Sequence, residues 1–80
     1  MPVLQVFSRR GCHLCEQLIE ELLPLVKGRA ELVVCDIDSR EDWRLDYDTR
    51  VPVVKYDGEF ICQYHLDREA LARFLDNTPS

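Results

Sequence analysis

The stretch that decides the fold is residues 3–15, which read VLQVFSRRGCHLC. Residues 3–7 are a nearly continuous apolar run, which is typical of a strand buried on both faces. A loop at residues 8–11 follows, and from there the leucines repeat at helical spacing. A CxxC pair, Cys12 and Cys15, therefore lies where a buried strand passes into a helix.

The helix that begins near Cys12 is predicted to continue to Gly28. Apolar side chains recur along it at the spacing of one helix face: Leu14, Leu18, Ile19, Leu22, Leu23 and Val26. Gly28 ends this pattern, as glycine commonly does after the last helical turn. Pro24 falls inside the pattern, so we expect a kink or an early end of the helix there.

The middle of the chain predicts a second strand and a short helix. Residues 32–37 are rich in β-branched side chains and form the strand. Ser39 and Asp42 have the spacing of a capping box, which marks the start of the helix. Trp43 and Tyr47 form an i,i+4 pair on that helix, and we expect both rings to pack rather than to bind a ligand.

The last part of the chain predicts a hairpin and a final helix. Asp57-Gly58 is a strong two-residue turn signal between strands at residues 52–56 and 59–64. Asp67 caps the helix, and Asn77 and Pro79 end it. Its inner side is marked by apolar residues: Leu66, Ala70, Leu71, Phe74 and Leu75.

The predicted order of elements is βαβ, a short helix, and ββα. A parallel βαβ unit crosses over right-handedly in nearly all cases, so the long helix covers one face of the sheet. We therefore expect one α/β domain over residues 1–80, with a four-stranded mixed sheet of order 2-1-3-4 and helices on both faces. This is the plan of the thioredoxin fold.

Composition and charge exclude two broad classes of protein. Ten basic against fifteen acidic residues give a net charge of −5, whereas nucleic-acid binders usually carry a basic face. Residues 36–48 hold six carboxylates against two arginines, which we interpret as a solvated face. No apolar run approaches the roughly 18–20 residues that cross a bilayer, and no secretory signal is recognisable. We expect no nucleic-acid or membrane partner, and a cytoplasmic location where thiols stay reduced.

The CxxC pair has the position of a redox centre. Residues i and i+3 share a helix face, and their Cα atoms fall within the usual disulfide range of about 4.4–6.8 Å. The helix N-terminus favours an anion at Cys12, as it does at other CxxC sites, where the pKa of the cysteine can fall below the ordinary value of about 8.5. Cys15 lies one turn inside the helix, so we expect it to be less exposed and to act as the resolving thiol.

The cysteines also admit a metal site. A tetrahedral zinc site needs four ligands, and the candidates are Cys12, Cys15 and two of His13, Cys35, Cys62 and His65. Cys35 and Cys62 fall mid-strand, where a free cysteine behaves as a small hydrophobe. In the expected strand order they lie on opposite edges, about 14 Å apart, and cannot pair.

Over residues 2–76 the chain resembles the glutaredoxin branch of the thioredoxin superfamily, and in particular small bacterial glutaredoxin-like proteins. The resemblance rests on the strand before Cys12-His13-Leu14-Cys15, on Arg50-Val51-Pro52, on Asp57-Gly58 and on the acid-capped last helix. It implies that the first cysteine is the nucleophile and the second resolves the mixed disulfide. It also implies that Pro52 is a cis-proline beside the pair, and that Val51 offers backbone groups to the substrate.

Further residues are predicted at the same rim as Cys12. The fourth strand runs parallel to the first, so Tyr64, His65 and Asp67 reach this rim as well. The resemblance implies that the acid at Asp67 lies near the amine of glutathione. Typical glutaredoxins have a Gly-Gly pair after the fourth strand, where this chain has Gln63-Tyr64-His65.

Three residues around the cysteines complete the candidate site. The sequence leaves two interpretations of Arg9 and Arg10 open: they orient an anionic substrate and add to the positive field at Cys12, or they are solvated flanking charges. His13 lies between the cysteines and is predicted to tune the thiol pair. Typical glutaredoxins have Pro-Tyr where this chain has His13-Leu14.

The sequence therefore predicts a monomeric thiol–disulfide oxidoreductase with no bound cofactor. Its substrate would be a disulfide-containing protein or a glutathione mixed disulfide, with glutathione or a reductase as the electron donor. The alternative is a non-enzymatic module of the same fold, either a metal or cluster carrier or a redox-sensitive adaptor. Stoichiometric metal in the purified protein would favour that alternative.

Overall fold

A computed structural model describes residues 2–76. The elements of this part of the chain are β1 Val3–Ser8, α1 His13–Val26, β2 Glu31–Asp36, α2 Glu41–Tyr47, β3 Val53–Tyr56, β4 Glu59–Gln63 and α3 Arg68–Asp76. Two short 3-10 turns, Ile37–Ser39 and Asp48–Arg50, flank α2. No helix within residues 2–76 is long and apolar enough to cross a membrane.

The strands of residues 2–76 form one mixed sheet in the order β2-β1-β3-β4. β1 is parallel to β2 and antiparallel to β3, and β3 is antiparallel to β4. Phe7 lies opposite Val53, which in turn lies opposite Gln63. The end of β1, the start of β3 and the end of β4 therefore share one rim of the sheet. The predicted fold and strand order are confirmed.

Helices cover both faces of the sheet. On one face, α1 and α3 pack against β1, β3 and β4, and the side chains at this contact are nearly inaccessible: Leu4, Val6, Leu18, Leu22, Val54 and Leu71. On the other face, α2 covers a smaller cluster that is formed by Phe7, Cys35, Ile37, Tyr47 and Val53. Burial of apolar surface on both faces stabilises the sheet that carries the rim.

Aromatic rings fill the α2 side of the sheet. The ring of Phe7 stacks on Tyr47 with 4.3 Å between centroids, and Trp43 meets Phe7 edge-on at 5.4 Å. The ammonium group of Lys55 lies 5.4 Å from the centroid of the Tyr47 ring. The prediction that Trp43 and Tyr47 serve packing is confirmed.

Helix α1 differs from the predicted pattern at its beginning. Leu14, which was predicted on the inner stripe, is 38% exposed, whereas Cys15 is 2% exposed. The helix continues through Pro24 and ends at Val26. A proline removes one intrahelical hydrogen bond, which here would reach the carbonyl of Glu20. Both Pro24 and Glu20 are exposed, so water can satisfy that carbonyl and the helix need not end.

Helix α2 begins later than predicted, and the capping box at Ser39 and Asp42 is wrong. Ser39 belongs to the 3-10 turn, where its hydroxyl donates to the carbonyl of Asp36 at 2.6 Å. The N-cap of α2 is Arg40, which has no side-chain capping bond. Asp42 instead pairs with the Arg40 guanidinium at 2.9 Å, because the two side chains meet at the helix start.

The hairpin and the last helix form as the sequence predicts. Asp57 and Gly58 both have positive φ, 46° and 89°, as the primed hairpin turns require. The Asp67 carboxylate accepts a bond from the backbone N–H of Ala70 at 3.0 Å and so caps α3. The predicted helix end at Asn77 and Pro79 lies outside the described residues.

Candidate active site

The CxxC pair lies at the N-terminus of α1, just beyond the rim of the sheet. Cys12 is the N-cap of this helix and Cys15 lies within its first turn. The two cysteines form a disulfide, with 5.2 Å between their Cα atoms. This separation is within the range that ordinary disulfides occupy, so the local helix geometry suits both the dithiol and the disulfide.

The two sulfur atoms have different surroundings. Cys12 is half-buried, whereas Cys15 is buried, as predicted. The backbone N–H of Cys15 donates to Cys12 Sγ at 3.2 Å. The loop is closed by a bond from the Cys12 N–H to the carbonyl of Arg9, also at 3.2 Å. A donor aimed at Cys12 Sγ from the first turn of a helix favours negative charge on that sulfur once the disulfide is reduced.

The loop before β3 and the loop after β4 meet at the same rim. The Val51–Pro52 peptide bond is cis. The carbonyl of Pro52 accepts a hydrogen bond from the N–H of Tyr64 at 2.7 Å. Val53 and Gln63, the next residues inward, pair across the sheet. The structure therefore brings Val51, Pro52 and Tyr64 together.

Tyr64 has a backbone conformation that tyrosine rarely adopts. Its φ is 66°, and the N–H of His65 donates to the carbonyl of Gln63 at 2.7 Å, which closes a tight turn around Tyr64. A side chain with a Cβ is disfavoured in this left-handed region, and glycine is not. Typical glutaredoxins are expected to have a Gly-Gly pair after the fourth strand. In this chain the turn at that place forms around Tyr64 instead.

This backbone conformation gives a stability prediction. Tyr64→Gly should be more stable than Tyr64→Ala by about 1 kcal/mol, because both lose the ring but only alanine retains a Cβ in the left-handed region. Urea unfolding of the two variants measures the difference. Equal free energies of unfolding for the glycine and alanine variants would contradict the prediction.

A shallow groove runs between α1 and the loop after β4. Its walls are Leu14, Gln17, Leu18, Glu21, Tyr64, His65 and Leu66. Leu14 and Tyr64, one on each wall, are 38% and 37% exposed, so they offer apolar surface to this groove. The sequence did not indicate Gln17 or Glu21 as site residues, although both follow Leu14 at helical spacing on the same side of α1.

The basic residues near the cysteines divide into two groups. Arg9 is held by two carboxylates, at 3.1 Å from Asp38 and 3.4 Å from Asp48. The hydrogen bond between Arg9 and Asp38 raises the pKa of Arg9 and lowers that of Asp38. The attraction between the two opposite charges shifts each pKa in the same direction as the hydrogen bond does. Arg10 and His13 are exposed and form no ion pair with a residue of the described part.

Asp38 and Asp48 were missed as functional candidates. The sequence placed them in an acidic stretch that was interpreted as a solvated face. In the structure, the carboxylates of Asp38 and Asp48 bind the guanidinium of Arg9, which lies in the loop before Cys12. Only the three-dimensional approach of Arg9 to the two 3-10 turns distinguishes these aspartates from their acidic neighbours.

The other two cysteines are free and buried, and neither belongs to the Cys12–Cys15 disulfide. Cys35 lies in β2 and Cys62 in β4, which are the two edges of the sheet, so the prediction that they do not pair is confirmed. Burial raises the pKa of both thiols. Within residues 2–76, no three His, Cys, Asp or Glu side chains are grouped so that they could hold a metal ion.

A thioredoxin-like fold with a disulfide between CxxC cysteines at the start of α1 defines a redox-type protein. The chain belongs to the glutaredoxin-like domain family (DUF836), whose family model matches residues 3–76. The predicted resemblance is confirmed.

Solved structures are similar to this chain in fold. A structural-genomics target protein from X. campestris is 28% identical, with a TM-score of 0.69, and the match covers 95% of this chain and 99% of that one. Oxidized mitochondrial thioredoxin 3 from Saccharomyces cerevisiae is 21% identical, with a TM-score of 0.65 over 96% of this chain and 78% of that one. Thioredoxin from Fasciola hepatica is 18% identical, with a TM-score of 0.66 over 98% and 81%. The two thioredoxins are similar in fold.

Proposed function

We propose that the chain is a thiol–disulfide oxidoreductase in which Cys12 is the nucleophile and Cys15 the resolving thiol. The observation that carries this proposal is the asymmetry of the pair. Cys12 is half-buried and its Sγ receives the N–H of Cys15 at 3.2 Å, whereas Cys15 is 2% exposed. An incoming disulfide reaches the first sulfur more easily than the second.

The reaction consists of two exchanges. The Cys12 thiolate attacks one sulfur of the substrate disulfide, that S–S bond breaks, and the other substrate sulfur leaves as a thiolate that takes up a proton. The Cys15 thiol then loses its proton and attacks Cys12 Sγ, which releases the second substrate thiol. Two electrons pass to the substrate, and the Cys12–Cys15 disulfide remains.

The rim around Cys12 supplies the substrate contacts. The backbone of Val51 lies free of the sheet pairing, just before the start of β3, and is suited to hydrogen-bond an extended segment beside the pair. The exposed parts of Leu14 and Tyr64 favour an apolar side chain next to the substrate cysteine. His13, between the two cysteines, and Arg10, in the loop before them, are exposed and add polar contacts, while Asp67 caps α3 at the end of the loop after β4.

The protein acts as a monomeric domain in the cytoplasm under this proposal. The cytoplasm keeps thiols reduced, which suits a protein whose active form is a dithiol. The partners are then a disulfide-containing protein or a glutathione mixed disulfide as substrate, with glutathione or a reductase as the donor. No bound cofactor is needed, because both electrons come from the dithiol.

Turnover with two electron donors tests the proposal. We expect the protein to reduce a small glutathione mixed disulfide well above the uncatalysed rate, with glutathione as the donor. The same assay with a small dithiol as donor is the companion measurement, since it needs no glutathione site. Turnover with the dithiol alone assigns a thioredoxin-type donor. No turnover with either donor contradicts the proposal and favours a binding module.

A further inference from the structure

Three separate segments of the chain meet at the side chain of Arg9. Its Nε and Nη2 atoms donate to the two carboxylate oxygens of Asp38, at 3.2 and 3.1 Å. Its Nη1 atom donates to Asp48 at 3.4 Å. Arg9 belongs to the loop after β1, Asp38 to the turn Ile37–Ser39, and Asp48 to the turn Asp48–Arg50.

Two of these segments border the active site. The carbonyl of Arg9 accepts the N–H of Cys12 at 3.2 Å, so the backbone of Arg9 is bonded directly to the nucleophile's residue. The turn that begins at Asp48 runs straight into Val51 and Pro52, which form the facing side of the rim. The guanidinium therefore links the Cys12 loop to the loop that carries Val51.

We propose that Arg9 is a positioning residue. By binding Asp38 and Asp48 at the same time, it holds the loop before Cys12 and the loop that carries Val51 at a fixed spacing. This inference rests on the proposed function, because a substrate disulfide must fit between the two loops. It also replaces the predicted role of Arg9 in orienting an anionic substrate. The guanidinium of Arg9 is already paired with two carboxylates, so it is not the binding partner of an anionic group on the substrate.

The geometry of the contact supports a holding role. Exposed ion pairs usually contribute little, because each must fix two mobile side chains. Here one guanidinium serves two carboxylates, and the bond to Asp38 is bidentate, which fixes orientation as well as distance. The pKa of Asp38 is lowered mainly by this hydrogen bond, as expected for a carboxylate held in its charged form.

The test compares Arg9→Ala, Asp38→Asn and the double variant with Arg29→Ala as the matched control. Arg29 forms a similar exposed ion pair with Asp76 at 3.1 Å, but it lies just before β2, at the end of the sheet opposite the rim. Hydrogen–deuterium exchange is measured over residues 8–14 and 48–53, which needs no turnover. We expect both single variants to raise exchange in both segments by about threefold, and the double variant to add little, because the bidentate bond to Asp38 orients the guanidinium toward Asp48 and is lost in either variant.

Disulfide exchange kinetics separate positioning from charge. Arg9→Ala makes the cluster more negative and Asp38→Asn makes it less negative, so an effect through the Cys12 thiolate has opposite signs in the two variants. A positioning effect lowers the rate in both. We therefore expect Arg9→Ala and Asp38→Asn each to reduce the limiting rate of disulfide exchange at high pH, where Cys12 is fully ionised. The reduction should be seen with an uncharged disulfide as well as with oxidised glutathione.

The outcomes that overturn the proposal are specific. If Arg9→Ala slows only the anionic disulfide and Asp38→Asn accelerates it, Arg9 binds substrate and does not hold the loops. Wild-type exchange in both segments of Arg9→Ala also overturns the proposal. If the wild-type protein reduces neither disulfide, the proposed function fails, and the exchange data alone decide whether Arg9 holds the two loops together.

Discussion

Cys12→Ser is expected to reduce disulfide-exchange turnover by at least about a thousandfold, to the uncatalysed background. A serine hydroxyl is not ionised near neutral pH, so the helix N-terminus and the N–H of Cys15 have no anion to stabilise. The remaining Cys15 is 2% exposed and cannot meet a bulky disulfide. Steady-state turnover with the better of the two donors measures the loss.

Cys35→Ala is the matched control for this loss. Cys35 is a buried free thiol in β2, on the face of the sheet that α2 covers. Its replacement lowers stability through lost packing, but we expect turnover per folded molecule to stay close to that of the wild type. Turnover that survives in Cys12→Ser, or that disappears in folded Cys35→Ala, would be incompatible with Cys12 as the nucleophile.

Cys15→Ser is expected to stop the reaction after the first exchange. Cys12 still attacks the substrate, but no thiol is present one turn along α1 to release it. The mixed disulfide between Cys12 and the substrate then accumulates to about one per protein, where the wild type holds almost none. Intact-mass measurement before and after treatment with a reductant detects the adduct, and peptide mapping locates it.

The reverse variant provides the control for the trap. Cys12→Ser retains Cys15 and should form no adduct in the same time, because Cys15 is buried. An adduct on Cys15 in that variant, equal to the one on Cys12 in Cys15→Ser, would mean that the two cysteines are equivalent nucleophiles. The order of attack proposed here would then be wrong.

The sequence predicted the parts of the fold that local chemistry decides. Asp57-Gly58 permits positive φ at the hairpin, and Asp67 offers its carboxylate to the start of α3, so both positions follow from residue type. The convergence of Cys12, Pro52 and Tyr64 at one rim followed from strand direction. The strands and helices themselves were predicted from the period-2 or period-3.6 spacing of apolar residues, which is a pattern over short stretches of chain.

The sequence did not predict the contacts that tertiary structure decides. Arg9 lies 29 residues from Asp38 and 39 from Asp48, and no periodicity links such distant charges. The exposure of Leu14 follows from how α1 meets the sheet, since its spacing fits the apolar stripe that is buried further along the helix. Likewise, the left-handed conformation of Tyr64 is imposed by the turn after β4 and contradicts the preference of its residue type.

A single-turnover experiment with the fully reduced protein tests the central claim most directly. The protein is mixed with a stoichiometric amount of disulfide substrate, the reaction is quenched with acid, and all four cysteines are assigned by differential alkylation. We predict that one substrate disulfide is reduced per protein molecule, that Cys12 and Cys15 are oxidised together, and that Cys35 and Cys62 stay free. Oxidation of the pair without reduction of the substrate, or consumption of Cys35 or Cys62 instead, would contradict the account.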